Sequence, residues 1–180
     1  MITTTPAIAD TVYVTDQGHT EVLFGWSHAG VSRQNGEFEK AVGTLTLAEK
    51  FEDSSINVVI DAASVSTGFD ALDKHLKSKD FLEVETYPEL TFQSTDVKQI
   101  DETKLEVSGN LTIHGVTKPV TLQASMTHRG EHPLGKAIDY YQGEWIAFQA
   151  TTEIDHQSFG VGGFSTGPIS IEINTELKAK

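Results

Sequence analysis

Residues 105–126 read LEVSGNLTIHGVTKPVTLQASM, and this stretch decides the fold. Leu105, Val107, Gly109, Leu111 and Ile113 alternate with Glu106, Ser108, Asn110 and Thr112. A period of two is the signature of a strand with one buried face. After the turn HGVTKP the alternation resumes as Val120, Leu122, Ala124 and Met126. Gly115 supplies the turn's freedom, and Pro119 stands where the second strand is expected to begin, a position proline tolerates. The pair is the central hairpin of an antiparallel sheet.

The same period recurs on both sides of the hairpin. In residues 20–28, TEVLFGWSH, Val22, Phe24, Trp26 and His28 share one face. Residues 37–47 read as a second strand, with a bulge expected at Gly43 because Phe38 and Leu45 have opposite parity. Residues 56–62 (INVVIDA), 87–94 (YPELTFQS), 144–154 (EWIAFQATTEI) and 169–177 (ISIEINTEL) add further strands. Polar or glycine-rich turns are expected at 96–103, 128–141 and 156–168. One segment changes period: Phe69, Leu72 and Leu76 fall near helical spacing. A short helix is expected over 70–78, with Ser66 or Thr67 at its start. About eight short strands with one helical insertion describe an all-β barrel or sandwich.

Composition bounds the function. A chain of 180 residues without internal repeat or linker is read as one domain, with its core over about 13–177. With 13 Lys and Arg against 26 Asp and Glu, its formal charge is −13. Such a surface repels phosphate backbones and anionic headgroups, so neither nucleic-acid binding nor electrostatic membrane docking is expected. No apolar run reaches the roughly eighteen residues of a membrane span. The absence of cysteine excludes disulfides, thiolate metal sites and cysteine nucleophiles. The first residues, MITTTPAIADT, lack a basic and an apolar region. The protein is therefore expected to be periplasmic or secreted if a signal peptide has been removed, and cytoplasmic otherwise.

Several segments together resemble the YceI-like family, a lipocalin-like domain that binds polyisoprenoid and other lipids. They are HTEVLFGWSHAGVS (19–32), GEFEKAVGTL (36–45), DAASVSTG (61–68), DKHLKSKDFL (73–82), YPELTFQST (87–95) and GNLTIHGVTKPVTL (109–122). The resemblance implies an extended eight-stranded antiparallel barrel with a helical insertion. Its hydrophobic tunnel would hold an isoprenoid tail of polyprenyl or ubiquinone type for transport or storage, without catalysis. The partners implied are a long-chain isoprenoid or similar lipid and, as an open alternative, a second copy in a homodimer. No cofactor is implied beyond that bound lipid or quinone. This chain departs from the family's pattern at Leu72 and His156, where many members carry arginine. With both positions lacking a fixed positive charge, a neutral head such as a quinone or amide is expected.

An eight-stranded barrel is near the size at which its interior either fills with side chains or holds one ligand. The inward aromatic and aliphatic residues Phe24, Trp26, Phe38, Phe92, Leu111, Ile113 and Phe148 are candidates for the lining. Val22, Leu76, Phe81, Trp145, Phe159 and Phe164 complete the apolar set. His28, with Ser32 or Tyr87, is the candidate pair for a ligand head. No catalytic residue and no metal site is expected, since the histidines lack HxH or HExxH spacing. Two alternatives stay open: a scavenger of fatty amides or hydrophobic drugs in the same cavity, or a hydrolase or isomerase using His28 or His114 as base. No GxSxG elbow supports the latter.

Overall fold

A computed structural model describes residues 10–163 and 167–180. Ten strands alternate with short turns: β1 (Thr11–His28), β2 (Ser32–Phe38), β3 (Ala41–Leu47), β4 (Ser55–Asp61), β5 (Val65–Ser66), β6 (Glu89–Gln99), β7 (Lys104–Ile113), β8 (Val116–Glu131), β9 (Glu144–Ile154) and β10 (Ile169–Ala179). Among the described residues a single α-helix, α1 (Asp70–Lys77), lies between β5 and β6. Eight of the strands close a ring in the order β1-β3-β4-β6-β7-β8-β9-β10, and β10 pairs back onto β1. Every pairing is antiparallel. Closure leaves the ring no free edge.

β1 is long enough to serve two neighbours on one side. Its first residues, Thr11 to Val14, pair with β3, whereas Val22 to His28 pair with β2. The parity change between Phe38 and Leu45 is therefore not a bulge at Gly43. Gly43 sits in regular register opposite Val58. The phase is reset at Glu39 and Lys40, where the chain leaves β2 before entering β3, so Phe38 and then Ala41, Leu45 and Leu47 are all buried.

The central hairpin is tighter than its sequence suggests. Ile113 pairs with Val116, which leaves a two-residue loop of His114 and Gly115. Both have positive φ, 52° and 72°, the type I′ geometry whose twist matches the flanking strands. His114 is held there by Glu83, its Nε2 lying 3.2 Å from the carboxylate, and by the ring of Tyr87 at 4.4 Å between centroids. Pro119 lies inside β8 rather than at its start, opposite Asn110. Pairing with β9 begins only at Gln123, so the proline occupies an edge portion of the strand. Strands β6 and β8 run on to Gln99 and Glu131, into segments expected to be turns.

The helix forms close to where its spacing predicts, with Phe69 at the N-cap. Thr67 does not cap it; its amide and hydroxyl both donate to Asp73 Oδ1, at 2.7 and 2.6 Å.

The antiparallel register puts the end of β1, the start of β10, the end of β9 and the end of β7 together at one mouth of the barrel. The opposite end is packed shut by Tyr13, Leu45, Leu47, Ile146 and Leu177, all buried. Between them the inward faces of β6, β7 and β8 contribute Phe92, Val97, Leu105, Val107 and Ala124.

Candidate functional site

The barrel interior is not solid above its closed end. A cavity of about 660 Å³ lies at the mouth, and a second of about 190 Å³ lies deeper between the strands. Phe38, Ile113, Ile154 and Ile171 form part of the wall of both, so the two chambers abut. The mouth chamber alone falls in the size range of small-molecule sites.

Alternation along the strands explains the inner chamber. Phe148, Ala150, Thr152 and Ile154 of β9, and Ile171, Ile173, Thr175 and Leu177 of β10, point inward in steps of two. Several inner-wall residues carry hydroxyls, but the protein uses them itself. Thr20 and Thr175 hydrogen bond each other at 2.9 Å. Thr15 Oγ1 accepts the amide of Gly43 at 2.9 Å, and Thr152 donates to the Thr121 carbonyl at 2.9 Å. What these residues leave for the chamber is carbon.

The mouth chamber is built differently. β1 contributes an aromatic ladder, in which Phe24 stacks on Trp26 at 5.8 Å and leans on Phe38 at 5.4 Å. The insertion between β4 and β6 supplies the facing wall through Val65, Leu72, His75, Leu76, Phe81 and Leu82. Leu72 and Leu76 lie one helical turn apart, so a single face of α1 presents both. The polar groups on this wall are Ser27, His28, Gln34, His75 and His156. Neither chamber is lined by Lys, Arg, Asp or Glu among the described residues. The nearby cation Arg33 donates instead to the Ser170 hydroxyl.

Of the sequence candidates, Phe24, Trp26, His28, Leu76 and Phe81 line the mouth chamber, while Val22, Phe92, Leu111 and Phe148 line the inner one. Phe38 and Ile113 belong to both. Four candidates stand elsewhere. Trp145 has the opposite parity to Ile146 and Phe148 and faces outward. It is nevertheless 1% exposed, because residues 132–141 cover it and its indole N–H donates to the Tyr141 carbonyl at 3.0 Å. Tyr87 packs on the turn of the central hairpin. Ser32 lies across from His28 but is exposed, its hydroxyl accepting from Gln34 Nε2 at 3.0 Å. Phe159 is buried in the core behind the mouth and lines neither chamber. Phe164 lies outside the described residues.

Sequence reasoning left out Val65, Leu72, Gln34, His156, Val161 and the isoleucines of β10 as lining residues. The clean alternation of ISIEINTEL was a usable signal for Ile171 and Ile173. For Val65 and Val161 there was none, because only tertiary folding brings them to the mouth.

His156 is the polar residue most firmly placed. It is 6% exposed, and its Nδ1 lies 2.7 Å from the Val161 carbonyl. Away from both chambers, Asp16, His19 and Glu176 bring ligand-type atoms within 4.8 Å of one another. Burial pushes the Asp16 carboxyl up, but hydrogen bonds from His19, Tyr140 and the Gly18 amide outweigh it, and its pKa falls below the ordinary value. The same bond to Asp16 raises the His19 imidazole. This pair fastens the irregularity of β1 between Thr15 and Thr20.

Comparison with known proteins agrees with the barrel. Residues 13–180 match the YceI-like domain. A UPF0312 protein of Vibrio parahaemolyticus is 36% identical over 170 residues, covering 93% of this chain and 86% of that protein. Among solved structures, BcnA of Burkholderia cenocepacia superposes with a TM-score of 0.76 at 22% identity, covering 90% of this chain and 98% of its own. A polyisoprenoid binding domain from Saccharophagus degradans superposes with a TM-score of 0.70 at 15% identity, covering 93% and 98%. By its fold and by its sequence, this chain belongs to the YceI-like family.

Proposed function

We propose that this protein binds a lipid with a long hydrocarbon tail, of isoprenoid type, inside its barrel and carries or stores it without chemical change. The observation that carries this reading is the pair of abutting chambers, a mouth of about 660 Å³ beside an inner space of about 190 Å³ in which the hydroxyls of Thr15, Thr20, Thr152 and Thr175 are engaged by the protein. Fold similarity to a polyisoprenoid binding domain supports the ligand class.

The driving force is transfer from water, about 0.8 kcal/mol for each methylene buried. Association costs several kcal/mol of lost freedom, so the affinity realised is far below the gross sum. Tail burial decides that binding occurs, and the polar groups at the mouth decide which head is accepted. A wall without lysine or arginine offers nothing to neutralise a diphosphate, so a neutral head fits this chain best.

The test is direct. The purified full chain is extracted with organic solvent and the extract analysed by mass spectrometry, alongside native mass spectra of the intact protein. A long-chain neutral lipid at near one-to-one stoichiometry is expected. A protein that stays empty, and takes up no prenyl alcohol when offered one, would overturn the proposal.

A further inference from the structure

The hairpin between β1 and β2 has a free end at the mouth. β1 pairs with β10 only as far as Gly25, and β2 pairs with β5 only at Glu37 and Phe38. Residues 27–35 are exposed without a break. The tip reads Ala29, Gly30, Val31, and Val31 is 84% exposed. Ala29 and Gly30 both have positive φ, 52° and 73°, in a turn closed by the Val31 amide donating to the His28 carbonyl at 2.9 Å. Such a turn favours Asn-Gly, and alanine tolerates its backbone less well.

A second apolar side chain stands at the same opening. Phe69 is 67% exposed and holds the N-cap position of α1, one turn before Leu72, without a side-chain capping bond. Ser, Thr, Asp or Asn would suit that position better. Ser27, His28 and Ala29 of the hairpin and Leu72, His75 and Leu76 of α1 all line the mouth chamber, so the two elements flank its entrance. Among the described residues, Val31 and Phe69 are the most exposed of the large hydrophobics. Two bare apolar side chains at one opening, each where the backbone favours a polar residue, mark a contact surface.

We infer that Val31 and Phe69 seat the mouth on the surface of a lipid bilayer, so that the ligand passes between membrane and barrel without crossing water. The inference rests on the lipid-binding reading above and adds where the ligand enters. Area favours a bilayer over a protein partner: two side chains expose far less than the roughly 800 Å² per partner of a stable complex. A bilayer interface accepts a few inserted apolar groups. Charge agrees. Residues 26–36 carry Arg33 and no acid, and residues 69–80 carry Lys74, Lys77 and Lys79 against Asp70, Asp73 and Asp80. The acidic excess behind the formal charge of −13 lies outside these two segments, so they meet headgroups without net negative charge.

The experiment follows transfer of a fluorescent geranylgeraniol analogue from phosphatidylcholine vesicles to the full chain. Transfer by contact makes the wild-type rate rise with vesicle concentration, whereas transfer through water leaves it constant, and this readout needs no variant. In a Val31→Ser, Phe69→Ser double variant the rate should fall about tenfold, the loss of two inserted apolar side chains. Serine at position 69 gives α1 a favoured cap residue, so the fold should persist, and melting curves check it. Titration with geraniol in vesicle-free solution should give equal affinities for the two proteins. A wild-type rate that ignores vesicle concentration, a double variant as fast as wild type, or a wild-type dimer that the two substitutions dissolve would overturn the inference and leave lipid binding intact. Failure to bind geraniol in solution or to take up the analogue would instead overturn the lipid-binding reading.

Discussion

The Phe92 ring occupies the space that a side chain on Gly109 would need: a Cβ built there stands 2.4 Å from Phe92 Cζ and 2.6 Å from the Gln93 carbonyl. Phe92 and Gly109 lie on adjacent strands, β6 and β7, with Ser94 directly opposite the glycine. The ring fills the place of the missing side chain and forms part of the wall of the inner chamber. Gly109→Ala is expected to destabilise the fold by about 1–3 kcal/mol, the range for overpacking a filled site. It should also push the ring into the chamber. Urea unfolding checks the first effect and binding of a long prenyl alcohol the second. Wild-type stability in this variant would contradict the placement of Phe92.

Phe38 stands at the junction of the two chambers. Phe38→Trp should narrow the passage between them. Binding of geranylgeraniol is then expected to weaken about tenfold, the loss of a few buried methylenes. Geraniol, short enough for the mouth, should bind as before. Isothermal titration of both alcohols separates this outcome from a general loss of fold, which would weaken the two alike.

Trp145 offers the complementary control. It is buried outside the barrel wall, so Trp145→Phe should lower stability by about 1–2 kcal/mol through the lost bond to Tyr141 and lost packing. Ligand affinity should not change. A large loss of affinity at full occupancy of the folded state would return Trp145 to the binding site.

The Asp16–His19 bond links stability to pH. A carboxyl whose folded pKa is depressed stabilises the fold above its ordinary value, and that contribution disappears as pH falls through the folded value. An imidazole whose folded pKa is raised stabilises below its ordinary value, and the contribution disappears as pH rises through the folded value. Both are present together between about pH 4 and 6.5. His19 is 46% exposed at its side chain, so screening keeps the pair below about 1 kcal/mol. Melting curves of wild type and Asp16→Asn should differ most in that window, narrow as pH rises past the His19 transition and converge as pH falls through the Asp16 one. A constant gap across the range would sink this assignment.

How much was legible depended on whether the signal was local. β4, β9 and β10 follow directly from two-residue alternation, and α1 from the spacing of Leu72 and Leu76. Phe38 and Leu45 announced a phase change, but its location at Glu39 and Lys40 carried no glycine or proline to mark it. Parity alone puts Trp145 on the face opposite Phe148, and its burial there comes from the covering loop, which the strand pattern does not show. The halves of the mouth wall come from β1 and from the insertion, which only folding juxtaposes. Asp16 and Glu176 meet across the seam where β10 closes onto β1, more than a hundred residues apart in sequence. Cavity volume is a property of how side chains fail to meet, and no residue pattern encodes it.

Titration of the wild-type chain with geraniol, farnesol and geranylgeraniol, which share one head and lengthen by an isoprene unit at a time, tests the central claim most directly. The two-chamber account predicts affinity that tightens with each added unit and levels off once the inner chamber is filled. Affinity that is the same for all three alcohols, or binding that never saturates, would contradict it.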